Sequence, residues 1–274
     1  MDFIEILKAI LFGIVEGITE WLPISSTGHM IILDELVKLN VSDAFREMFL
    51  VVIQLGAILA VVVLYFRKLW PFSTKEKFFI KKDTFGMWFK ILAACIPAAI
   101  VGVFFDDKIN ELFYNYQTVA AMLIIFGVLF IVIENYNKKR KPVMNSIAEI
   151  SWKAAVGVGL FQLIAAVFPG TSRSGATILG GILLGMSRTT AAEFTFFLAV
   201  PVMAGASLLK LLKFGLAFSA SEAVILLVGM VVAFVVSILV IKFLMNYIRR
   251  NDFKVFGWYR IVLGVLVFLF FSIL

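Results

Sequence analysis

Charge, cysteine and histidine are all scarce in this chain, and each scarcity excludes something. Only 16% of its 274 residues are Asp, Glu, Lys or Arg, while 62% are hydrophobic and the mean hydropathy is +1.03. A water-soluble fold of this length needs far more polar surface to cover itself, which leaves a membrane protein with several spans. The single cysteine, Cys95, excludes an intramolecular disulfide, and its place in an apolar segment reads as that of a small packing residue. The N-terminal stretch MDFIEILKAILFGIVEGITE lacks a basic leader and carries acids inside its apolar run, so it does not read as a cleaved signal peptide. The one histidine, His29, stands in EGITEWLPISSTGHM (16–30), the most polar part of an apolar neighbourhood.

A spanning helix needs roughly 20 mostly apolar residues. Six stretches qualify, at about 48–66, 86–104, 117–135, 192–213, 222–246 and 256–274. Two more, near 4–33 and 152–186, are each interrupted in the middle by Pro, Gly, Ser and Thr. The longest polar loop is about 67–85, so residues 1–274 read as a single integral membrane domain. The net charge of +7 is unevenly placed: 67–83, 137–141 and 246–254 are basic, whereas FFDDKINELF (104–113) is acidic by comparison. Positive charge marks the cytoplasmic side, which puts the three basic loops there and 104–116 outside. Each basic cluster adjoins a membrane segment, so topogenic charge, and not nucleic acid, accounts for it.

Shifted by 146 residues, GIVEGITEWLPISSTGHMIIL (13–33) lies without gaps over GLFQLIAAVFPGTSRSGATIL (159–179). Gly13/Gly159, Ile18/Ile164, Pro23/Pro169, Ser26/Ser172, Ile32/Ile178 and Leu33/Leu179 are identical pairs, and Glu16 falls on Gln162. The shared Pro-x-x-Ser break argues against coincidence. Three spans separate the two interrupted segments, so the copies insert in opposite senses, as in proteins whose broken helices meet near the bilayer midplane. The expected fold is therefore an all-α polytopic membrane protein. It has six transmembrane helices and two re-entrant helix–break–helix hairpins, with 1–146 and 147–274 as inverted-topology repeats. Backbone broken at that depth is tolerated only where it lines a cavity or contacts protein, so each break marks a site.

The residues at the breaks suggest its chemistry. Glu16 and Glu20, four apart, share one helix face, and two carboxylates in lipid need a cation, a shared proton or an arginine between or opposite them. Ser25, Ser26 and Thr27 bring hydroxyls to the start of a half-helix, where free N–H groups favour an anion, although simple capping explains one of the three. His29 lies three residues beyond Ser26, within helical reach of a nucleophile, and imidazole suits proton transfer near neutral pH. At the second break, Arg173 with Ser172, Ser174 and Thr177 suits phosphate oxygens; the plainer reading is an ion pair with Glu16 or Glu20. Carboxylates suit Mg2+ or Ca2+, and Ser26 or His29 could attack a phosphorus or activate water. Together these groups point to phosphate chemistry on a molecule that reaches the site through lipid. The rival reading is a carrier of anions or a flippase of a lipid carrier, which would share inverted repeats and broken helices. Against it, the Ser26/His29 pair occurs in only one repeat.

At these residues the sequence resembles the undecaprenyl-diphosphatase family, also known for bacitracin resistance. EGITEWLPISSTGH resembles its Glu-x-x-x-Glu and Ser-Ser-Thr-Gly-His signature, and FPGTSRSGAT its Pro-Gly-x-Ser-Arg-Ser-x-x-Thr signature. Lesser matches follow in VVIQLGAILAV (51–61), IPAAIVG (96–102), EFTFFLAVPVMAGAS (193–207) and WYRIVLG (258–264). The resemblance implies a multi-pass phosphatase of the bacterial inner membrane, with six spans and two re-entrant hairpins. Its substrate in the bilayer would be undecaprenyl diphosphate, which it would cut to the monophosphate carrier reused in cell-wall synthesis. It further implies a divalent cation, Mg2+ or Ca2+, a site open to the outer face, and a functional core of Glu16, Glu20, Ser26, His29 and Arg173. Ser25, Thr27, Ser172, Ser174 and Thr177 would surround the diphosphate, Glu16 and Glu20 would hold the metal, and a homodimer is an assembly it allows. Ser26 is the favoured nucleophile, with His29 and Glu20 handling protons and metal and Arg173 holding phosphate; water activated by His29 is the alternative.

Overall fold

In a computed structural model that describes residues 3–74, 79–215 and 218–273, the chain is all-α apart from turns, one 3-10 turn and isolated bridges. Residues 75–78 of the expected basic loop and the last residue of the expected final span, 274, lie outside the described residues. In chain order the helices are α1 Phe3–Thr19, α2 Ser26–Leu36, α3 Asp43–Val52, α4 Gln54–Leu64, α5 Phe66–Leu69, α6 Lys82–Phe113, α7 Tyr116–Asn137, α8 Trp152–Val167, α9 Arg173–Leu183, α10 Arg188–Phe214, α11 Ala220–Tyr247 and α12 Lys254–Ile273.

All six expected spans are present as apolar helical segments long enough to cross a membrane: Asp43–Leu64, Lys82–Phe105, Tyr116–Asn137, Arg188–Phe214, Ala220–Tyr247 and Lys254–Ile273. At most half of each span's apolar window is buried within the protein, which leaves the remainder for lipid. Two details differ from expectation. The first span is interrupted at Ile53, which divides it into α3 and α4 although Ile53 itself keeps right-handed helical torsions. The acidic segment expected as an outer loop continues α6 as helix to Phe113, so only Tyr114 and Asn115 join it to α7. Asp107, Lys108 and Glu111 there are exposed on the helix, and Pro97 inside α6 does not end it.

The two interrupted segments are each a pair of short helices: 17 and 11 residues in α1 and α2, 16 and 11 in α8 and α9. At 1.5 Å per residue none of the four reaches across the roughly 30 Å hydrocarbon layer. Each first half packs on a long helix from the other half of the chain, α1 on α11 and α8 on α6. Glycines make these approaches. A Cβ on Gly13 would lie 2.6 Å from the Gly229 carbonyl oxygen, and one on Gly159 2.5 Å from that of Ala94. With no hydrophobic drive between helices in lipid, such close backbone contact is the main source of association. α4 packs on α11 and α10, and α7 on α12; α9 lies against α8, α10 and α7, and its residues from Ser174 to Ile182 are all buried.

Candidate active site

Helical hydrogen bonding fades after α1 because Pro23 has no N–H to offer. Glu20 still donates to the Glu16 carbonyl (3.0 Å) and Leu22 to that of Ile18 (3.5 Å), and then the chain turns. Ser25 resets its direction with φ 74° and ψ 104°, and its Oγ accepts the Gly28 N–H as N-cap of α2. The second break does the same: Gly170 turns with φ 89°, and Ser172, at φ 69° and ψ 117°, accepts the Gly175 N–H as N-cap of α9. Positive φ outside glycine costs on the order of 1–3 kcal/mol, so a surrounding structure must hold both serines in place. These caps match Ser25 with Ser172, a spacing of 147, one more than the 146 that aligns Pro23 with Pro169. The second break is thus one residue longer. Ser26 corresponds to Arg173, and not to Ser172 as gapless alignment implied: each is the first residue of its half-helix.

Those two residues meet on one carboxylate. The Ser26 hydroxyl donates to Glu20 Oε2 at 3.0 Å, and Arg173 Nη2 donates to Glu20 Oε1 at 2.8 Å. The ion pair with Glu20 offered as the plainer reading of Arg173 is therefore present, and it joins the two breaks. Arg173 Nη1 donates to the Thr195 carbonyl (3.0 Å), while its Nε has no hydrogen-bond partner. The guanidinium also lies 6.0 Å from the centre of the Trp21 ring. Between the breaks, the Ser174 hydroxyl donates to the Leu22 carbonyl at 3.4 Å.

Glu16 is different. It is 1% exposed, and neither carboxylate oxygen has a hydrogen-bond partner. A buried carboxylate left bare costs far more than one that is bonded, so the geometry calls for a cation or a proton. Among the described residues there is no group of three or more His, Cys, Asp and Glu that could hold a metal. Glu16 and Glu20 alone therefore form an incomplete oxygen set, which suits a hard cation that also takes ligands from substrate and water.

His29 is held at both ends of its ring. One ring nitrogen, Nδ1, lies 2.7 Å from the Ser25 carbonyl, which can only accept, so Nδ1 carries the proton. The neutral ring then accepts the Tyr259 hydroxyl at Nε2, 2.8 Å away. His29 is thus bonded to Tyr259 and the Ser25 carbonyl, whereas Ser26 is bonded to Glu20.

The remaining expected residues divide between scaffold and wall. Ser25 is fully buried by its capping role, and Thr27 is half-buried on the first turn of α2. Ser172 and Ser174 hydroxyls lie 3.1 Å apart. Thr177 is fully buried; its hydroxyl donates to the Arg173 carbonyl and accepts from Thr195, so it supports the helix that carries Arg173.

Three residues at this site escaped the sequence reading: Thr195, Tyr259 and Arg260. Arg260, fully buried, donates to the carbonyls of Pro23 (3.3 Å), Gly170 (2.9 Å), Thr171 (2.8 Å) and Met122 (3.4 Å). One guanidinium thereby ties both breaks to α7. The signal was present: a cation inside an apolar span, the feature that singled out Arg173.

The sequence profile described as "Bacitracin resistance protein BacA" matches residues 9–266. Undecaprenyl-diphosphatase of Desulfitobacterium hafniense is 68% identical over 272 residues, covering 99% of this chain and 98% of that one. Undecaprenyl-diphosphatase 1 of Clostridium acetobutylicum is 67% identical over 273 residues, covering the whole of both chains. An undecaprenyl-diphosphatase of Enterococcus faecalis is 62% identical over 271 residues, 98% of each chain. With two short broken helix pairs, a carboxylate shared by Ser26 and Arg173, and these likenesses along its length, the chain belongs to the bacitracin resistance protein BacA family.

Proposed function

We propose that this chain is a multi-pass membrane phosphatase that hydrolyses undecaprenyl diphosphate to undecaprenyl phosphate and phosphate, recycling the lipid carrier and conferring resistance to bacitracin. The observation that carries this reading is the Ser26–Glu20–Arg173 junction, which sets a hydroxyl, a proton acceptor and a phosphate-binding fork at one point between the breaks. The arriving diphosphate competes with Glu20 for Arg173, whose fork prefers two phosphate oxygens. That exchange frees Glu20 to take the Ser26 proton through the hydrogen bond already formed. Ser26 Oγ then bonds to the terminal phosphorus as the bridging P–O bond breaks, and undecaprenyl phosphate leaves. Water attacks the phosphoserine, giving one proton to His29 and keeping the other on the departing phosphate, as the P–Oγ bond breaks and the proton on Glu20 returns to Ser26. His29, oriented by Ser25 and Tyr259, serves the water step. Thr27, Ser172 and Ser174 wall the diphosphate beside it, while Ser25 and Thr177 hold the two half-helices in place.

Glu16 and Glu20 would hold a divalent cation, Mg2+ or Ca2+, and the unpartnered oxygens of Glu16 support this. When bound, such an ion supplies positive charge that offsets the diphosphate. The matched caps, the short half-helices and the crossed packing of α1 on α11 and α8 on α6 support two re-entrant hairpins in an inverted repeat. The repeat boundary near 146 follows from the same pairing. Basic connections at 137–141 and 246–254 support a cytoplasmic placement of those ends, in the bacterial inner membrane, with the first hairpin entering from outside.

Phosphate release from undecaprenyl diphosphate by the detergent-purified protein, with and without chelator, tests this reading. Metal-dependent release is expected. A folded protein that releases none would favour the lipid-carrier flippase or anion carrier, and substrate uptake into vesicles would then decide.

A further inference from the structure

At the opposite end of α9 from Arg173, a cavity of about 660 Å3 opens where three spans end. Its walls come from the end of α7 and the turn after it, from the α9–α10 turn, and from the residues after α11. Arg140, Lys141 and Arg249 line it and, among the described residues, form no ion pair with an acid. The fourth cation, Arg188, is already spent: it is bonded in two places to Glu134, which is fully buried and also accepts the Phe253 N–H at 3.0 Å. The cavity therefore carries three cations outside any ion pair, of which Arg140 lies over the Tyr136 ring at 4.3 Å. Ser187 and Thr189 lie in the same wall at the start of α10, their hydroxyls 3.1 Å apart, with Ser187 Oγ accepting the Thr190 N–H as N-cap. Its floor is apolar, from Ile182, Leu183, Met186 and Ile248, and Val143 at its lip is 72% exposed.

Topogenic charge explains why the loops are basic but not why three cations surround a walled cavity with an apolar floor at the depth where spans end. We propose that this cavity is a phosphate-binding site on the basic side of the membrane, separate from the Ser26–Glu20–Arg173 junction, and that it takes the phosphate of an anionic lipid head group or free phosphate. Cations held near a lipid surface each strengthen such binding about fivefold, so three give about a hundredfold. The apolar floor suits the glycerol and first methylenes of a lipid.

The full chain in neutral detergent is titrated with phosphatidylglycerol, phosphatidylcholine or inorganic phosphate, and its thermal unfolding is followed. Phosphatidylglycerol is expected to raise the melting temperature by on the order of 3 °C, and phosphatidylcholine by nothing. A rise with inorganic phosphate alone would make free phosphate the source. Arg140→Gln/Lys141→Gln/Arg249→Gln should weaken the effect about a hundredfold in ligand concentration. Lys138→Gln/Lys139→Gln, on the same loop but absent from the cavity lining and screened by solvent, should leave it within about twofold. Equal losses in both variants would reduce the site to a diffuse field of charge and overturn the proposal, as would no rise in the wild type. Retained phosphatase activity in the triple variant, which alters no residue of the junction, checks that it is folded.

Discussion

The two breaks share a backbone and differ in cargo. Both turn at a serine held at positive φ, both cap an 11-residue helix with that serine, and both place at the helix's first position a residue that bonds Glu20. The first break carries acid, hydroxyl and imidazole; the second carries the guanidinium. One backbone form thus presents two different sets of side chains, and in the proposed function each set supplies half of a phosphate site. The acidic half keeps Glu16 bare, whereas its counterpart at the 146 spacing, Gln162, is neutral and donates weakly to the Ala94 carbonyl at 3.5 Å. Negative charge is concentrated on one side and positive on the other, so a substrate that is anionic and a cation that escorts it can bridge them.

Removing the single cation of the second break should have the largest effect. Arg173→Ala removes the buried ion-pair partner of Glu20, a change that costs about 3–5 kcal/mol, and turnover should fall by about 10^2–10^4-fold. Arg173→Lys should recover less than a tenth of the loss, because an ammonium cannot reproduce the fork. Wild-type rates in either variant would leave the second break without a catalytic part.

Ser26→Ala comes next. With serine as nucleophile, kcat should drop at least about 10^3-fold with the fold intact. Substantial residual rate would instead assign attack to water activated by His29, and would reduce the Ser26–Glu20 hydrogen bond to support.

Glu16→Gln turns the first break toward its neutral counterpart. Activity at saturating Mg2+ should persist in part, but the metal titration midpoint should rise at least about tenfold. An unchanged titration would remove Glu16 from the ligand set. The smallest effect belongs to Tyr259→Phe, which deletes one hydroxyl from His29 Nε2. A two- to tenfold loss of kcat is expected, with a displaced pH–rate profile and unchanged KM. An unaltered profile would make the contact incidental.

Much of this arrangement was legible in sequence for a physical reason: lipid makes polar residues conspicuous. Glu20, Ser26, His29 and Arg173 stood out because an apolar segment has no use for them, and the six spans followed from hydropathy. Other features lack that contrast. The cap pairing of Ser25 with Ser172 is set by backbone torsions, while identity favoured the alignment of the two prolines, so the register came out one residue short. Residues 104–113 are charged, a composition that reads as loop although an exposed helix carries such residues equally well. Arg260 is separated from Pro23 by 237 positions, and no local periodicity encodes a contact at that range.

The central claim is that the two breaks act as one site through Glu20 and Arg173. Its most direct test is a double-mutant cycle on phosphate release, with Glu20→Gln, Arg173→Gln and the two combined. If they form one unit, the double variant should lose no more than about threefold beyond the worse single variant. Losses that multiply would mean that the two breaks act independently, and would contradict the account.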